Sequence, residues 1–302
     1  MRLDAPYTVT YRAIYAIADA EEKIVELVEE SQCYGASAWA RYHISKGPLV
    51  ISARSIANTM RYLLRRGRVA IELEGSREAA GIESVRIDES EIEITFCGLG
   101  GGGVGATKTR AHSPGVLRHR ITESGGSRRA RGTITLPRRE RLLIGIDDTD
   151  SKERGATWAL SHNIAAKLHS METPYLSHTL VQLYPVEERT QNCVSTVVEF
   201  APIDRETGRR LVEGFKELLQ AYSLSEETGM VVHYGFDPSG LLKYSKRART
   251  SRVRKSDALR AAEETSTRIH LGGNGVIGAL AAIPWYAEPD RSVRLGDEEM
   301  GC

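Results

Sequence analysis

The chain has 302 residues, of which 41% are apolar and 27% are charged, and its formal net charge is +1. This length allows two domains with separate cores, and the composition excludes a disordered or fibrous chain. A net charge near zero gives no global field that would attract nucleic acid. No apolar run approaches the roughly 20 residues that span a bilayer, and the N-terminus lacks a basic-then-apolar signal. We therefore expect a cytoplasmic protein with no membrane partner.

Four cysteines are scattered along the chain without any C-x-x-C pair: Cys33, Cys97, Cys193 and Cys302. Four cysteines in a chain of this length do not make a disulfide framework, and zinc-ribbon spacing is absent. The cysteines are therefore predicted to be free thiols.

Residues 1–112 predict an N-terminal α+β domain, with a largely antiparallel sheet covered by helices on one face. The pattern Asp19-Ala-Glu-Glu22 predicts a helix that continues to Val28, and a second helix is predicted from about Ser55 to Arg66. Strands are predicted at residues 7–17, 69–73, 84–87 and 91–96. Nothing in this half indicates its role.

A glycine run, Gly98-Leu-Gly-Gly-Gly-Gly-Val-Gly105, follows the last of these strands, with Lys108 and Arg110 behind it. It contains G-x-G-x-x-G, but a dinucleotide site also needs a following helix. Pro114 and Gly115 interrupt the residues that would form it. Two interpretations stay open: a nest of backbone N–H groups that holds a phosphate or carboxylate, and a flexible hinge.

Residues 113–140 are rich in glycine, serine and arginine, and such a segment buries little apolar surface. From Lys108 to Arg141 the chain has ten Lys or Arg residues against two Glu. A solvated linker between domains is predicted. The alternative is an arginine arm that binds RNA or an acidic partner.

The second half opens with an apolar run, residues 142–146, that predicts a buried strand. Three carboxylates follow at once, Asp147, Asp148 and Asp150. Like charges this close repel one another unless a cation or hydrogen-bond donors lie among them. Carboxylates together with phosphate oxygens are ligands that suit Mg²⁺. The alternative is a solvated acidic turn that caps the next helix.

Alternating strand and helix patterns continue after the carboxylates. Helices are predicted at residues 156–168 and 205–221, and strands at residues 178–184, 194–200 and 230–234. A basic stretch then begins, in which Lys243, Lys246 and Arg247 are candidates to neutralise a triphosphate. A solvated helix face is the alternative for each of these three.

A glycine turn and a small-residue helix occupy residues 272–283. The N-terminus of such a helix is available to an anion. We predict that the turn, formed by Gly272, Gly273, Asn274 and Gly275, lies beside a ligand. Packing alone is the alternative explanation for the alanines that follow.

The segment Gly145-Ile-Asp-Asp-Thr-Asp-Ser-Lys-Glu-Arg-Gly-Ala-Thr-Trp-Ala-Leu160 resembles the opening motif of the archaeal agmatinylcytidine synthetases, which modify an isoleucine tRNA. Residues 272–283 resemble that family's late glycine-alanine motif. The resemblance covers roughly residues 141–285. The segments Ala13-Ile-Tyr-Ala-Ile-Ala-Asp19 and Ala38-Trp-Ala-Arg-Tyr-His43 are similar to the methanogenesis marker protein 11 family.

The resemblance implies an α+β fold of two mixed sheet-and-helix domains, with a kinase-like ATP/Mg domain at residues 141–235. A basic segment and a ferredoxin-like part are implied at residues 236–302. ATP and Mg²⁺ are the implied cofactors, and AMP and pyrophosphate the products of ATP. The three aspartates would hold the metal and the triphosphate, and Thr157 would be a phosphoacceptor or a positioning hydroxyl. Other implied cofactor-binding residues are Gly145, Ser151 and Asn192, the last in Thr190-Gln-Asn-Cys193, a loose counterpart of the family's Arg-Gly-Asn-Gly turn.

The synthetases continue into an OB-fold domain and a zinc ribbon that hold the tRNA, and neither has a counterpart here. We therefore expect ATP-dependent activation of an unknown acceptor by a ligase or phosphotransferase, with RNA an unexpected partner. The alternative is a non-catalytic assembly factor for methanogenesis enzymes, for example in maturation of methyl-coenzyme M reductase. Trp158, at a position where the synthetases carry a small polar residue, favours that alternative.

Overall fold

The computed structural model describes residues 4–294, and the chain divides into two compact units between Arg139 and Glu140. Each unit is α+β, as the sequence predicts. Cys302 lies outside the described residues, whereas Cys33, Cys97 and Cys193 are free thiols. Within residues 4–294, none of the helices has the length and apolar character needed to span a membrane.

The first unit is built on a nine-stranded sheet with the order β3-β4-β2-β1-β9-β7-β6-β5, in which β8 pairs with β9. All of its strand pairs are antiparallel except β1 with β9. Its elements are β1 (Ala13–Ala18), β2 (Ile24–Glu30), α1 (Tyr34–Ile44), β3 (Val50–Ile56), β4 (Thr59–Arg65), β5 (Gly67–Arg68), β6 (Ala80–Ile87), β7 (Glu91–Gly98), α2 (Gly100–Val104), a π-helical turn (Gly105–Thr109), β8 (Arg118–Ile121) and β9 (Ala130–Arg139).

Both helices predicted in this unit are wrong, because each predicted segment contains a strand. Asp19 does accept hydrogen bonds, from the backbone N–H groups of Lys23 and Ile24, but this cap closes the turn between β1 and β2. In β4, Met60, Tyr62 and Leu64 are buried on one face with a period of two. Helix α1 was not predicted, and the strand predicted at residues 69–73 is absent from the described structure.

The glycine run is neither a nest nor a hinge, because it forms helix α2 and the start of the π-helical turn. A Cβ on Gly102 would lie 2.5 Å from the carbonyl oxygen of Ala79, so the run allows a close approach of backbones. Arg110, predicted to assist a phosphate, is buried and donates to both carboxylate oxygens of Glu29, at 2.6 and 2.9 Å.

The linker predicted at residues 113–140 is also wrong, because most of it forms the hairpin of β8 and β9. Strand β9 lies between β7 and β1 inside the sheet. Gly125 and Gly126 have φ angles of 130° and 56° and belong to the hairpin turn, so the glycines mark a turn and not a flexible segment.

The second unit contains a five-stranded antiparallel sheet with the order β11-β12-β10-β13-β14. Its elements are β10 (Leu142–Asp147), α3 (Thr157–Leu168), β11 (Tyr175–Gln182), β12 (Val194–Phe200), α4 (Arg205–Tyr222), β13 (Gly229–Tyr234), α5 (Leu242–Thr250), α6 (Lys255–Glu264), β14 (Arg268–Gly272), α7 (Val276–Ala282) and α8 (Pro289–Ser292), with single 3₁₀ turns at Ser239–Leu241 and Ile283–Trp285.

Strand β10 is central and buried on both faces, as its continuous apolar run predicts. Leu143 packs with α5, α6 and α7 on one face, whereas Leu142, Ile144 and Ile146 pack with α3 and α4 on the other. No domain boundary falls at residue 236, because β13 pairs with β14 across it. Residues 140–294 therefore form one three-layer unit.

Candidate functional site

The site lies where β10 ends and the chain turns towards α3. Asp147 is the last residue of β10, opposite Gly229 of β13. Asp148 then takes a φ of 54°, a left-handed conformation that costs most side chains energy but that Asp tolerates. Thr228 donates from its hydroxyl to the carbonyl oxygen of Asp148 at 3.1 Å. The turn is thus fixed by its neighbour strand.

Helix α7 packs directly against this strand end, and three glycines make the approach possible. A Cβ on Gly278 would lie 1.8 Å from Oδ2 of Asp147, and one on Gly275 would lie 2.6 Å from the carbonyl oxygen of the same residue. A Cβ on Gly145 would meet the carbonyl oxygen of Ala279 at 2.0 Å. Gly145, predicted to bind a cofactor, instead permits strand–helix packing.

Burial and neighbouring carboxylates disfavour the ionised forms of the two aspartates at the strand end. Burial, and then the charge of Asp148, raise the pKa of Asp147 well above its usual range. Burial raises the pKa of Asp148 to about 6, with further contributions from Asp150 and Glu227. A cation placed between Asp147 and Asp148 would reverse these shifts, since it favours the ionised forms.

Thr157 and Asp150 hold the loop between β10 and α3. The hydroxyl of Thr157 is buried and accepts from the backbone N–H and the hydroxyl of Thr149, each at 3.1 Å. Oδ1 of Asp150 accepts from the hydroxyls of Thr190 at 2.8 Å and of Thr157 at 3.4 Å. The side chain of Asp150 therefore ties the loop to the segment before β12.

That segment carries two residues that the sequence did not single out. Besides Thr190, Gln191 donates from its side-chain amide to the carbonyl oxygens of Ser151 and Gly155, at 3.1 and 2.8 Å. The hydroxyl of Ser151, predicted to bind a cofactor, accepts from the backbone N–H groups of its own turn. The weak turn motif Thr190–Cys193 was the one available signal.

A cleft of about 500 Å³ opens over the two carboxylates. One wall carries Asp147, Asp148 and Gly278, and Asn192 and Asn274 also line it. Four cations also line it: Arg189, and then Arg252, Arg254 and Lys255, which run from the loop after α5 to the first residue of α6. Glu188 and Glu227 line it as well, and Glu188 forms an ion pair with Arg252. A smaller cavity of about 120 Å³ is lined by Asp147, Asp150, Thr157, Trp158 and Asn192. The cleft therefore combines carboxylates at the strand end with a basic wall that contains one ion pair.

The cations predicted for this site lie elsewhere. Lys243, Lys246 and Arg247 belong to α5 and are not among the described residues that line either cavity. Arg247 lies 3.4 Å from a carboxylate oxygen of Asp257. The buried face of α5 instead carries Tyr244, Ala248 and Arg249, whereas Lys243, Lys246 and Arg247 are exposed. Of the basic stretch, Arg252, Arg254 and Lys255 line the cleft and the three predicted residues do not.

The predicted glycine turn lies partly at the cleft. Asn274 lines it, and its backbone N–H donates to a carboxylate oxygen of Glu227 at 2.7 Å. Gly273 packs against the backbone of Glu227, and Gly272 has open space around its Cα. Both line a separate depression of about 560 Å³. The turn therefore serves packing at Gly273 and Gly275 and offers one polar group, Asn274, to the cleft.

The carboxylates at the end of β10 are too few to hold Mg²⁺ without other oxygen ligands. Among residues 4–294 no group of three or more His, Cys, Asp or Glu side chains is placed to hold a metal ion. Asp147 and Asp148 share the large cleft, whereas Asp150 is engaged by two hydroxyls. Two carboxylates suit Mg²⁺ when phosphate and water oxygens complete an octahedron. The set fits a phosphate-bound magnesium and not an all-protein metal cage.

Over nearly its whole length the chain is similar to an archaeal protein. It is 39% identical over 283 residues to the uncharacterized protein MJ0921 of Methanocaldococcus jannaschii, and the match covers 91% of this chain and 94% of that protein. The two belong to one family. The similarity therefore extends through both units.

The second unit has a further similarity of its own. The family model of the TiaS TCKD domain matches residues 143–271. The tRNA 2-agmatinylcytidine synthetase TiaS of Thermococcus sibiricus is 29% identical over 149 residues, which cover 47% of this chain and 35% of the synthetase. The crystal structure of TiaS in complex with its tRNA and ATP matches 48% of this chain and 36% of that one, at 21% identity and a TM-score of 0.43. The TCKD match crosses the boundary predicted at residue 236.

Proposed function

We propose that the chain is an ATP- and Mg²⁺-dependent enzyme that activates an acceptor at the cleft over Asp147 and Asp148. The observation that carries the proposal is the pair of mutually repelling carboxylates at the end of a buried strand. A fold tolerates such a pair where a bound cation relieves it. The match of residues 143–271 to the TiaS TCKD domain supports the same assignment.

In this proposal Asp147 and Asp148 would hold Mg²⁺, which would supply positive charge to neutralise the phosphate groups of the nucleotide. Arg252, Arg254 and Lys255 line the same cleft and would bind the phosphates, as charge-assisted hydrogen bonds favour. Asn192 and Asn274 would orient the nucleotide or the acceptor. Asp150 and Thr157 would position the loop, because the hydroxyl of Thr157 donates to Asp150 and accepts from the backbone N–H group of Thr149.

Calorimetric titration with Mg²⁺ and a non-hydrolysable ATP analogue tests the site. The double variant Arg254→Ala, Lys255→Ala removes two cations from the cleft and should weaken binding at least about tenfold, because each charged hydrogen bond contributes about 1.5–3 kcal/mol. The matched control Lys243→Ala, Lys246→Ala removes two cations outside it and should change affinity less than about twofold. Equal losses in the two variants would refute the proposed cleft.

Product analysis then assigns the reaction. With ATP and Mg²⁺, a ligase-like reaction yields AMP and pyrophosphate, whereas phosphotransfer yields ADP. We propose the AMP-forming reaction, because the TCKD match is to a domain of a synthetase. Asp148→Asn should abolish either product. Wild type that binds no Mg-ATP would instead support the non-catalytic assembly factor.

The acceptor is proposed to serve methanogenesis, on the similarity of residues 13–19 and 38–43 to the methanogenesis marker protein 11 family. Co-purification from a methanogen extract, with and without the ATP analogue, tests this. Recovery of an enzyme of methane formation is the expected result. Recovery of unrelated proteins alone would contradict the role in methanogenesis and would leave the proposal of an ATP site unaffected.

A further inference from the structure

Three residues of the segment first interpreted as a linker, Arg120, Arg131 and Thr133, help to line a basic groove on the sheet of the first unit. The groove encloses about 500 Å³, and twelve residues line it. Five of them are arginines, Arg66, Arg68, Arg86, Arg120 and Arg131, against two glutamates. The positive surplus is therefore local, although the chain's net charge is only +1. We propose that this arginine-rimmed groove binds the phosphate backbone of an RNA.

Strand register places the charges in a line across the sheet. Arg68 pairs with Ser84, Ser84 with Thr95, Thr95 with Thr133, and Thr133 with Arg120. This row crosses five strands, which at about 4.8 Å between neighbours is roughly 19 Å. An arginine stands at each end, with three hydroxyl residues between. A row of this length suits several consecutive phosphates better than one small anion.

Four of the five arginines have a carboxylate partner: Arg66 is 3.7 Å from Glu22, Arg86 is 3.1 Å from Asp88, and Arg120 and Arg131 pair with the two glutamates of the groove. Arg129 and Arg131 share the single carboxylate of Glu83, at 2.5 and 2.6 Å. Arg120 is 3.4 Å from Glu93 and its side chain is 79% exposed. An exposed pair contributes about 0–1 kcal/mol, so a phosphate can take the place of the carboxylate. No ion pair of Arg68 is found within residues 4–294.

The groove's composition favours RNA over other polyanions. None of its twelve lining residues is aromatic, so recognition would depend on the backbone and not on base stacking. The hydroxyls of Thr95 and Thr133 are buried and hydrogen-bonded to each other at 3.0 Å, so Ser84 is the residue of the row whose hydroxyl can contact the 2′-hydroxyl that distinguishes RNA from DNA. The floor is a sheet face, and no helix contributes to the described lining that could enter a DNA major groove.

Fluorescence anisotropy of labelled bulk tRNA with the full chain, over a series of salt concentrations, tests the inference. The double variant Arg68→Ala, Arg120→Ala should weaken binding about tenfold at low salt. It should also reduce the slope of log K against log salt by about 1–2, since each lost phosphate contact removes about one counterion. Retention of most of the affinity by Arg68→Lys, Arg120→Lys would confirm that charge, and not folding, is measured.

The chain offers a matched control in Arg12→Ala, Arg77→Ala. Arg77 lies 3.4 Å from Glu74, which is the distance between Arg120 and Glu93. Arg12 is exposed, as Arg68 is. The control should bind tRNA as wild type does. Equal losses in both double variants, or no binding by wild type at low salt, would overturn the proposal. The proposal would also be overturned if polyglutamate or duplex DNA competed with labelled tRNA as strongly as unlabelled tRNA does. Because Asp148→Asn leaves the groove intact, tRNA binding is separable from failure of the ATP site.

Discussion

Two regions of the molecule differ in the partners that they provide for buried carboxylates. In the first unit Glu29 is fully buried, and Arg110 donates two hydrogen bonds to it. At the end of β10, Asp147 and Asp148 face each other's charge, and the pKa of each is raised. The first arrangement is complete within the fold. In the proposed function a bound cation would favour the ionised forms of the second pair, and this difference supports the proposed site.

The same contrast holds within the second unit. Glu199 is fully buried and lies 3.1 Å from Nε of Arg141. Within residues 4–294 the fold therefore supplies a cation to a buried carboxylate on β12, the neighbour of β10, but not to Asp147 on β10 itself. Raised carboxylate pKa values in a cleft are typical of functional sites, whereas paired ones are typical of structural ion pairs.

The largest expected effect comes from breaking the completed pair. Arg110→Ala leaves Glu29 buried without its cation and should lower the free energy of unfolding by about 3–5 kcal/mol. Hydrogen exchange of amides in β1 and β2, followed by mass spectrometry, reports this loss for the first unit alone. Replacement of both partners, Glu29→Leu with Arg110→Met, should cost much less. A double variant as unstable as Arg110→Ala would show that packing and not charge dominates there.

The next effect comes from moving the unpaired carboxylate. Gly278→Ala places a methyl group on Oδ2 of Asp147, so the carboxylate or α7 must shift. We expect a net loss of about 1–2 kcal/mol, because overpacking outweighs the gain in helix propensity. Binding of Mg²⁺ with the ATP analogue should weaken at the same time. Gly272→Ala, which has open space, should change neither quantity by more than about 0.5 kcal/mol.

The second unit was largely predictable because its strands and helices have clear periods. Strand β12 was predicted with its observed bounds, and α3 to within one residue. The first unit was predicted poorly, because Ile24–Glu30 fits both the helical and the strand pattern when its neighbours are unknown. Which pattern prevails depends on β1 and β4, the strands that pair with β2.

The site shows the same division between local and distant information. The aspartates could be identified, since three carboxylates after an apolar strand are a local pattern. The cations could not, because Arg254 and Lys255 line the cleft through the path of the chain between α5 and α6. Likewise, that Gly278 accommodates Asp147 depends on residues 131 positions apart meeting in space. Sequence spacing carries no information on such contacts.

A smaller effect, of opposite sign, is expected from removing a charge at the site. The pKa of Asp148 is about 6 in the fold, above its ordinary value of 3.8. Ionisation of Asp148 therefore disfavours the metal-free fold. The contribution of this carboxyl group to stability is fully present below pH 3.8 and is lost as the pH rises through about 6. Asp148→Asn should then raise the free energy of unfolding by about 1–2 kcal/mol at about pH 8, and by much less at about pH 4.

Urea denaturation at both pH values, with EDTA and then with saturating Mg²⁺ and ATP analogue, measures this difference. Ligand should stabilise wild type and not Asp148→Asn, because binding to the folded state adds to its stability. Asp290→Asn, an exposed aspartate of the same unit, is the control and should behave as wild type. If Asp148→Asn is less stable than wild type at the higher pH without metal, the carboxylate is structural and the contrast with Glu29 disappears.

The smallest effect is expected where the loop is already satisfied within the fold. Thr157→Val removes the acceptor of the Thr149 N–H group and should cost about 1 kcal/mol of stability, whereas Thr157→Ser keeps the hydroxyl and should cost less. If Thr157 only positions the loop, Thr157→Ser should retain most ATP turnover and Thr157→Val should lose part of it. Intact-mass analysis after incubation with ATP decides between positioning and phosphoacceptor roles. Phosphorylation of wild type but not of Thr157→Val would show that the hydroxyl of Thr157 takes part in the reaction. The site would then contain a third functional oxygen donor besides the carboxylates of Asp147 and Asp148.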